Sequence, residues 1–115
     1  REEALSTMTP GELLLLLYDE LVKRLTQAEL ALDKQDYSLF NASVDRAVDI
    51  IHYLDDTLDR SYSISSELTR LYEFFCYELS RVKIGRNKTE LERIKRMSSE
   101  LRESFRSAEK STSER

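Results

Sequence analysis

Residues 9–32 read Thr-Pro-Gly-Glu-Leu-Leu-Leu-Leu-Leu-Tyr-Asp-Glu-Leu-Val-Lys-Arg-Leu-Thr-Gln-Ala-Glu-Leu-Ala-Leu. The stretch opens with a helix-start signal. Thr9 suits the cap, Pro10 the first helical position, and Glu12 the third residue of a capping box. Leu14, Leu17, Tyr18, Leu21, Leu25, Ala28 and Leu32 then recur at spacings of three and four, which is one face of a helix. Leu13 to Leu17 are consecutive, so the first turns are apolar nearly all round. Leu15 and Val22 make one flank of the stripe, Leu13 and Leu16 the other. Such a helix needs cover on more than one side, from the rest of the chain or from a partner.

Three further segments repeat the pattern. Phe40, Val44, Ala47, Ile51, Leu54 and Leu58 step by four and three, predicting a second helix over about 37–60, with Asp36 as its cap. Leu39, Ile50 and Tyr53 form a second stripe beside that seam, with Ser43, Arg46 and Thr57 interleaved. Leu68, Leu71, Tyr72, Phe75, Leu79 and Val82 predict a third helix over about 66–83, closed by Gly85 in a left-handed conformation. Leu91, Ile94, Leu101, Phe105 and Ala108 predict a fourth, with Ser98 interrupting the stripe and a second capping box from Thr89 to Glu92. The connections are short, so successive helices are antiparallel neighbours. The fold class is all-α, an antiparallel up-down-up-down four-helix bundle. We expect a flexible arm over 1–8, the bundle over 9–109 and a disordered polar tail over 110–115. The sequence starts at Arg1 rather than Met, so we expect a native segment before it.

Composition narrows the function. With 115 residues there is room for one modest core, and two Gly and one Pro leave helices few interruptions. A net charge of −4 argues against nucleic-acid binding. Five leucines in a row fall far short of the roughly 20 apolar residues of a membrane span, so no membrane insertion is expected. Cys76 is the one cysteine, which excludes an internal disulfide. Without a second histidine-type base near it, we read it as an inert, partly buried thiol rather than a nucleophile.

Asp49 and His52 share a helix face, with Asp45 and Asp56 a turn away. Carboxylate and histidine three residues apart occur in metal-binding bundles, but those sites use two such motifs facing inward. This chain has one histidine, and it falls opposite the predicted core, so we read a solvated acidic face with no metal. Two glycines build no phosphate-cradling loop. No enzyme and no cofactor are expected.

The surplus of apolar residues remains. Leu13, Leu15, Leu16, Val22, Ile50, Tyr53, Phe74 and Tyr77 exceed what four core stripes need, and Arg70 and Arg81 flank the last two. Surplus apolar surface beside arginine fits an interface, where a homodimer would use the same residues as a foreign partner, and it fits equally a short bundle whose wide stripes only broaden the core.

The motifs also resemble a known family. Thr9-Pro10-Gly11-Glu12-Leu13 with Leu17-Tyr18-Asp19 resembles the opening helix of the flagellar secretion chaperone FliS family. Ala47-Val48-Asp49-Ile50-Ile51-His52-Tyr53-Leu54 with Thr57-Leu58-Asp59 resembles its second helix, and Leu68-Thr69-Arg70-Leu71-Tyr72-Glu73 with Leu79 its third. Leu101-Arg102-Glu103-Ser104-Phe105 resembles its closing motif, with Phe105 where Trp is common. The likeness runs in register from about Leu5 to Ala108. It implies a cytoplasmic, ATP-independent export chaperone. Such proteins hold the disordered C-terminal segment of flagellin round the outside of the bundle, prevent premature polymerisation, and present the client to an export gate component of the flagellar type III apparatus. Leu13, Leu15, Leu16, Val22, Ile50, Tyr53, Phe74 and Tyr77 are then the expected client contacts, with Arg70 and Arg81 pairing to client acids. Ala4, Leu5 and Met8 are the expected arm residues covering part of that site in the free protein. The alternative class is a self-associating bundle, or an adaptor for another flagellar protein.

Overall fold

The computed structural model describes residues 7–113. Four helices follow one another: α1 (Pro10–Asp33), α2 (Tyr37–Asp56), α3 (Ile64–Gly85) and α4 (Lys88–Ser113). Each packs on its neighbours in the chain and α4 returns to α1, so the four close a ring around one core. This is the up-down-up-down bundle that the stripes predict.

The ring is filled by the residues at three- and four-residue spacing. Tyr18, Leu21, Leu25, Phe40, Ala47, Ile51, Phe75, Leu79, Leu91 and Ile94 have no measurable exposure. Each fully buried large apolar side chain contributes about 1.5–3 kcal/mol of transfer free energy. Two buried tyrosines face each other across this core, the Tyr18 and Tyr72 hydroxyls 2.5 Å apart. Burial pushes both phenols above their ordinary range, because the ionised form would lose its water. Ser98 also lies in the core, its Oγ without a partner among the described residues.

Caps explain where the helices begin. Thr9 Oγ1 accepts from the Glu12 backbone N–H at 3.1 Å, and Glu12 Oε1 accepts from the Thr9 N–H at 2.9 Å. Asp36 Oδ1 accepts from the Leu39 N–H at 3.1 Å. At α4 the cap is Asn87, whose Oδ1 accepts from the Glu90 N–H at 3.0 Å, two residues before the Thr89–Glu92 box that the sequence suggests. Asn87 wins because the same residue closes α3, its N–H reaching the Val82 carbonyl at 3.3 Å. Asp36 has the same double role, donating to the Ala31 carbonyl at 2.9 Å while capping α2.

Each of these turns passes through one left-handed residue. Gln35 has φ 59° and Arg86 has φ 51°. The expectation that Gly85 takes this conformation is therefore corrected. Gly85 is the last helical residue, and Arg86 turns left-handed with its guanidinium 3.5 Å over the Tyr37 ring. That contact offsets the steric cost of a side chain there.

The other boundaries shift modestly. α2 stops at Asp56, where Thr57 donates its hydroxyl to the Leu54 carbonyl, rather than at Arg60. Leu58 still packs half-buried on the core from the following turn. α4 continues to Ser113, past the expected start of a polar tail at 110, since no Gly or Pro interrupts its hydrogen-bond ladder.

Candidate functional site

The ten expected contact residues fall on three walls of the bundle. The first lies between α1 and α2. Leu13, Leu14 and Leu17 face Leu54, Thr57 and Leu58 across a cleft of ≈ 280 Å³, with Pro10, Gly11 and Asp59 at its mouth. All five leucines from Leu13 to Leu17 are half-buried. Ile50 lies one turn from Leu54 on the same edge of α2 and is half-buried, while Tyr53 beside it is 48 % exposed. Leu16, three residues after Leu13, forms the outer rim of the α1 wall.

Toward the other end this wall becomes cationic. Arg24, Gln27, Leu39, Ala42, Ser43 and Arg46 line a second depression between the same helices. Gln27 Oε1 ties the walls together, accepting from Arg24 at 3.2 Å and from Ser43 Oγ at 3.1 Å. Arg24 also lies 3.5 Å from Glu20, whereas Arg46 is exposed and in no ion pair among the described residues. Leu39 is 40 % exposed beside it. The position of Leu39 and Arg46 beside the Ile50 stripe was visible in the sequence; that Arg24 of another helix meets them was not.

The second wall lies between α1 and α4. Leu15 and Val22 are seven residues apart on this side. Asp19, between them, is held by Arg102 at 3.6 Å and Arg106 at 3.4 Å, and Tyr18 stacks on Phe105 with ring centroids 5.4 Å apart. α4 thus covers much of this flank. Val22 is buried at 9 % exposure, while Leu15 stays half-buried.

The third wall belongs to α3. Arg70, Tyr77 and Arg81 are exposed there, Tyr77 at 63 %, and Arg81 lies 3.5 Å from Glu78. Phe74 is half-buried toward α4, where the Arg93 guanidinium lies 5.3 Å from its ring centroid. Ile84, one helical face further along, is 86 % exposed. Of the expected arm residues, Met8 is half-buried, and Ala4 and Leu5 lie outside the described residues.

The groups weighed for chemistry are placed as follows. Asp45, Asp49, His52 and Asp56 are all exposed on α2, and Asp45 is engaged by Lys83 at 2.7 Å. Among the described residues no group of three or more His, Cys, Asp or Glu is arranged to hold a metal ion. Cys76 is half-buried, and burial, with Asp55 nearby, pushes its thiol up to about 11, so it stays protonated and a poor nucleophile near neutrality. Among the described residues no helix is long and apolar enough to cross a membrane.

These features are apolar walls with cationic margins on the outside of the bundle. Comparison with known proteins gives the family. The family model for flagellar protein FliS matches residues 1–112. The flagellar secretion chaperone FliS of Bacillus subtilis (strain 168) is 26% identical over 108 residues, covering 94% of this chain and 81% of that protein. With nearly its whole length matched, the chain belongs to the FliS family of flagellar proteins.

Proposed function

We propose that this protein is a flagellar export chaperone that takes the disordered C-terminal segment of flagellin in the cytosol and keeps it from polymerising before export. The observation that carries this reading is the leucine run. Leu13 to Leu17 are half-exposed together, on a helix whose core stripe needs only part of them. Leu13, Leu14 and Leu17 form with Leu54 and Leu58 a cleft that is a slot for apolar residues at helical spacing. Membership in a family whose B. subtilis relative is named a secretion chaperone supports an unfolded flagellar client. A segment wrapped over several walls loses chain entropy, which moderates affinity and leaves release feasible. Leu13, Leu16, Ile50 and Tyr53 grip its apolar residues, and Arg24 and Arg46 meet its acids. Leu15 and the α3 residues Arg70, Phe74, Tyr77 and Arg81 extend the path. Val22, already buried within the bundle, is left out of the path. Presentation to an export gate component is the second half of the same function, carried out without ATP or catalysis.

The test is calorimetric titration with a peptide of the flagellin C-terminal segment from the same source. One-to-one binding with a negative heat-capacity change is expected, because apolar surface leaves water. The double substitution Ile50→Asp with Tyr53→Asp is expected to weaken binding by about 100-fold, two buried apolar contacts being worth about 3 kcal/mol together. Melting stays near wild type, since neither residue is in the fully buried core. A wild-type protein that binds no flagellin terminus overturns the reading.

A further inference from the structure

The groove on the opposite side of α2, between α2 and α3, has no part in the client path above. It comprises two depressions that meet at Cys76. One, of ≈ 460 Å³, is lined by Val44, Asp45, Val48, Asp49, Cys76, Leu79, Ser80 and Lys83. The other, of ≈ 210 Å³, is lined by Ile51, His52, Asp55, Tyr72, Glu73 and Cys76. From Val44 to Asp55 the α2 wall rises about 17 Å, or about three helical turns. Val48 and Cys76 form a half-buried apolar strip along it, over the core side chains Val44, Ile51 and Leu79.

The rim of this strip is acidic. Asp45, Asp49, Asp55 and Glu73 stand along it against two cations, Lys83 in its lining and Arg60 at its end, so carboxylates outnumber cations by two. The ends are clamped. Lys83 Nζ lies 2.7 Å from Asp45, and Arg60 lies 3.4 Å from Asp55, whose Oδ1 also accepts from Thr69 Oγ1 at 2.8 Å. Between the clamps Asp49 and Glu73 are exposed and in no ion pair among the described residues, and His52 of α2 lines the same depression as Glu73.

We infer that this groove docks a basic amphipathic helix of a second protein, distinct from the client. An apolar helix face laid on Val48 and Cys76 takes Asp49 and Glu73 out of water, which is costly unless cations meet them. Lysine or arginine flanking an apolar stripe at i, i+3, i+4 and i+7 supplies both partners over three turns. The client segment does not fit here. A segment whose acids suit Arg24 and Arg46 on the α1 side is repelled here by Asp49 and Glu73, the two carboxylates of the groove in no ion pair among the described residues.

The test uses an 18-residue synthetic helix with a leucine stripe flanked by lysines, fluorescently labelled, and a twin with glutamate at every lysine position. The lysine helix is expected to bind at least about tenfold tighter than its glutamate twin, with affinity falling as salt rises. Amide resonances that shift belong to Val48, His52, Glu73 and Cys76. The double variant Asp49→Lys with Glu73→Lys is expected to lose the preference and to keep wild-type melting and wild-type affinity for the flagellin peptide. Equal binding of the two helices, or no binding of the lysine helix, overturns the inference. So does displacement of the lysine helix by stoichiometric flagellin peptide, which would give the groove to the client. A wild-type dimer in sedimentation that Asp49→Lys dissociates would give it to a second copy and also overturn it. The comparison of the two helices, with and without the double variant, is read without flagellin peptide, so it stands or fails independently of whether that peptide binds on the α1 side.

Discussion

On its α1 side, α2 presents Leu39, Ile50 and Tyr53 with Arg46; on its α3 side it presents Asp45, Asp49, His52 and Asp55 around Val48. The floors of the two grooves are alike, since Leu54 under one and Ile51 under the other are both at most 1 % exposed. The rims differ. The α1 side is apolar and lightly pinned, by Gln27 to Ser43. The α3 side is acidic and pinned at both ends, by Lys83 and Arg60. One helix thus serves a shared core while giving its two shoulders different chemistry. The shoulder residues recur at the helical period as regularly as the core residues do.

Equal floors make the first prediction. Leu54→Ala and Ile51→Ala each cost about 2–5 kcal/mol in urea unfolding, because each leaves a cavity in a closed core. The two values are expected to agree within about 1 kcal/mol, as similar volumes are removed from similar surroundings. If the α1-side substitution were much cheaper, the leucine cleft would reach deeper into the bundle than its lining indicates.

The shared centre makes the second. Tyr18 and Tyr72 donate one hydroxyl hydrogen between them across the core. Tyr72→Phe leaves the Tyr18 hydroxyl without that partner and costs about 1–3 kcal/mol, while the double change to Phe costs less than the two singles added. Both folded phenols are raised, so the fold binds their protons more tightly than the unfolded chain does. Their contribution is therefore complete below the unfolded value near pH 10 and declines as pH rises above it. Thermal melts from pH 8 to 11 are expected to show wild type losing stability above pH 10, and the double Phe variant losing less.

Much of this architecture was readable in the sequence because burial in a bundle follows the helical period. Thr9, Pro10, Glu12 and Asp36 also act locally, within three residues, so their caps were legible. What escaped is what depends on a neighbour. Val22 and Leu15 share a flank, yet α4 buries Val22 more than Leu15, and that covering depends on where Phe105, Arg102 and Arg106 land. Asn87 displaced Thr89 as a cap because it also terminates α3, a role set by the turn as a whole. Arg24 and Arg46 stand 22 positions apart and meet only once the helices pair. The acidic face was legible as charge, but its apolar strip was not, since Cys76 belongs to a different helix.

The rims give the third prediction. Arg24→Glu with Arg46→Glu is expected to weaken flagellin-peptide binding by about 3–10-fold, since Arg46 is exposed and screened by water and half-buried Arg24 already shares its charge with Glu20. The salt dependence of binding weakens with it. The loss is smaller than that from Ile50→Asp with Tyr53→Asp, because apolar burial dominates this shoulder. Equal losses would move the balance of the α1 groove from apolar grip to charge, and so bring it closer in kind to the α3 groove.

The smallest effect concerns the two turns at the same end of the bundle, which fix where both grooves begin. Gln35 and Arg86 both carry a side chain in left-handed backbone, a conformation costing a non-glycine residue about 1–2 kcal/mol. Gln35→Gly removes that cost, offset in part by the extra freedom of glycine in the unfolded chain, so a net gain of about 0.5 kcal/mol is expected. Arg86→Gly removes the same cost but also the guanidinium from the face of Tyr37, a contact worth about 0.5–1 kcal/mol at an exposed site. The two terms nearly cancel, and stability in urea stays within a few tenths of a kcal/mol of wild type. Tyr37 opens α2, so its contact with Arg86 braces the α3–α4 turn against the start of the acidic groove, while Gln35 braces nothing on the leucine side. A gain at Arg86 as large as that at Gln35 would mean the Tyr37 contact adds no stability, and that the two shoulders of α2 are anchored alike.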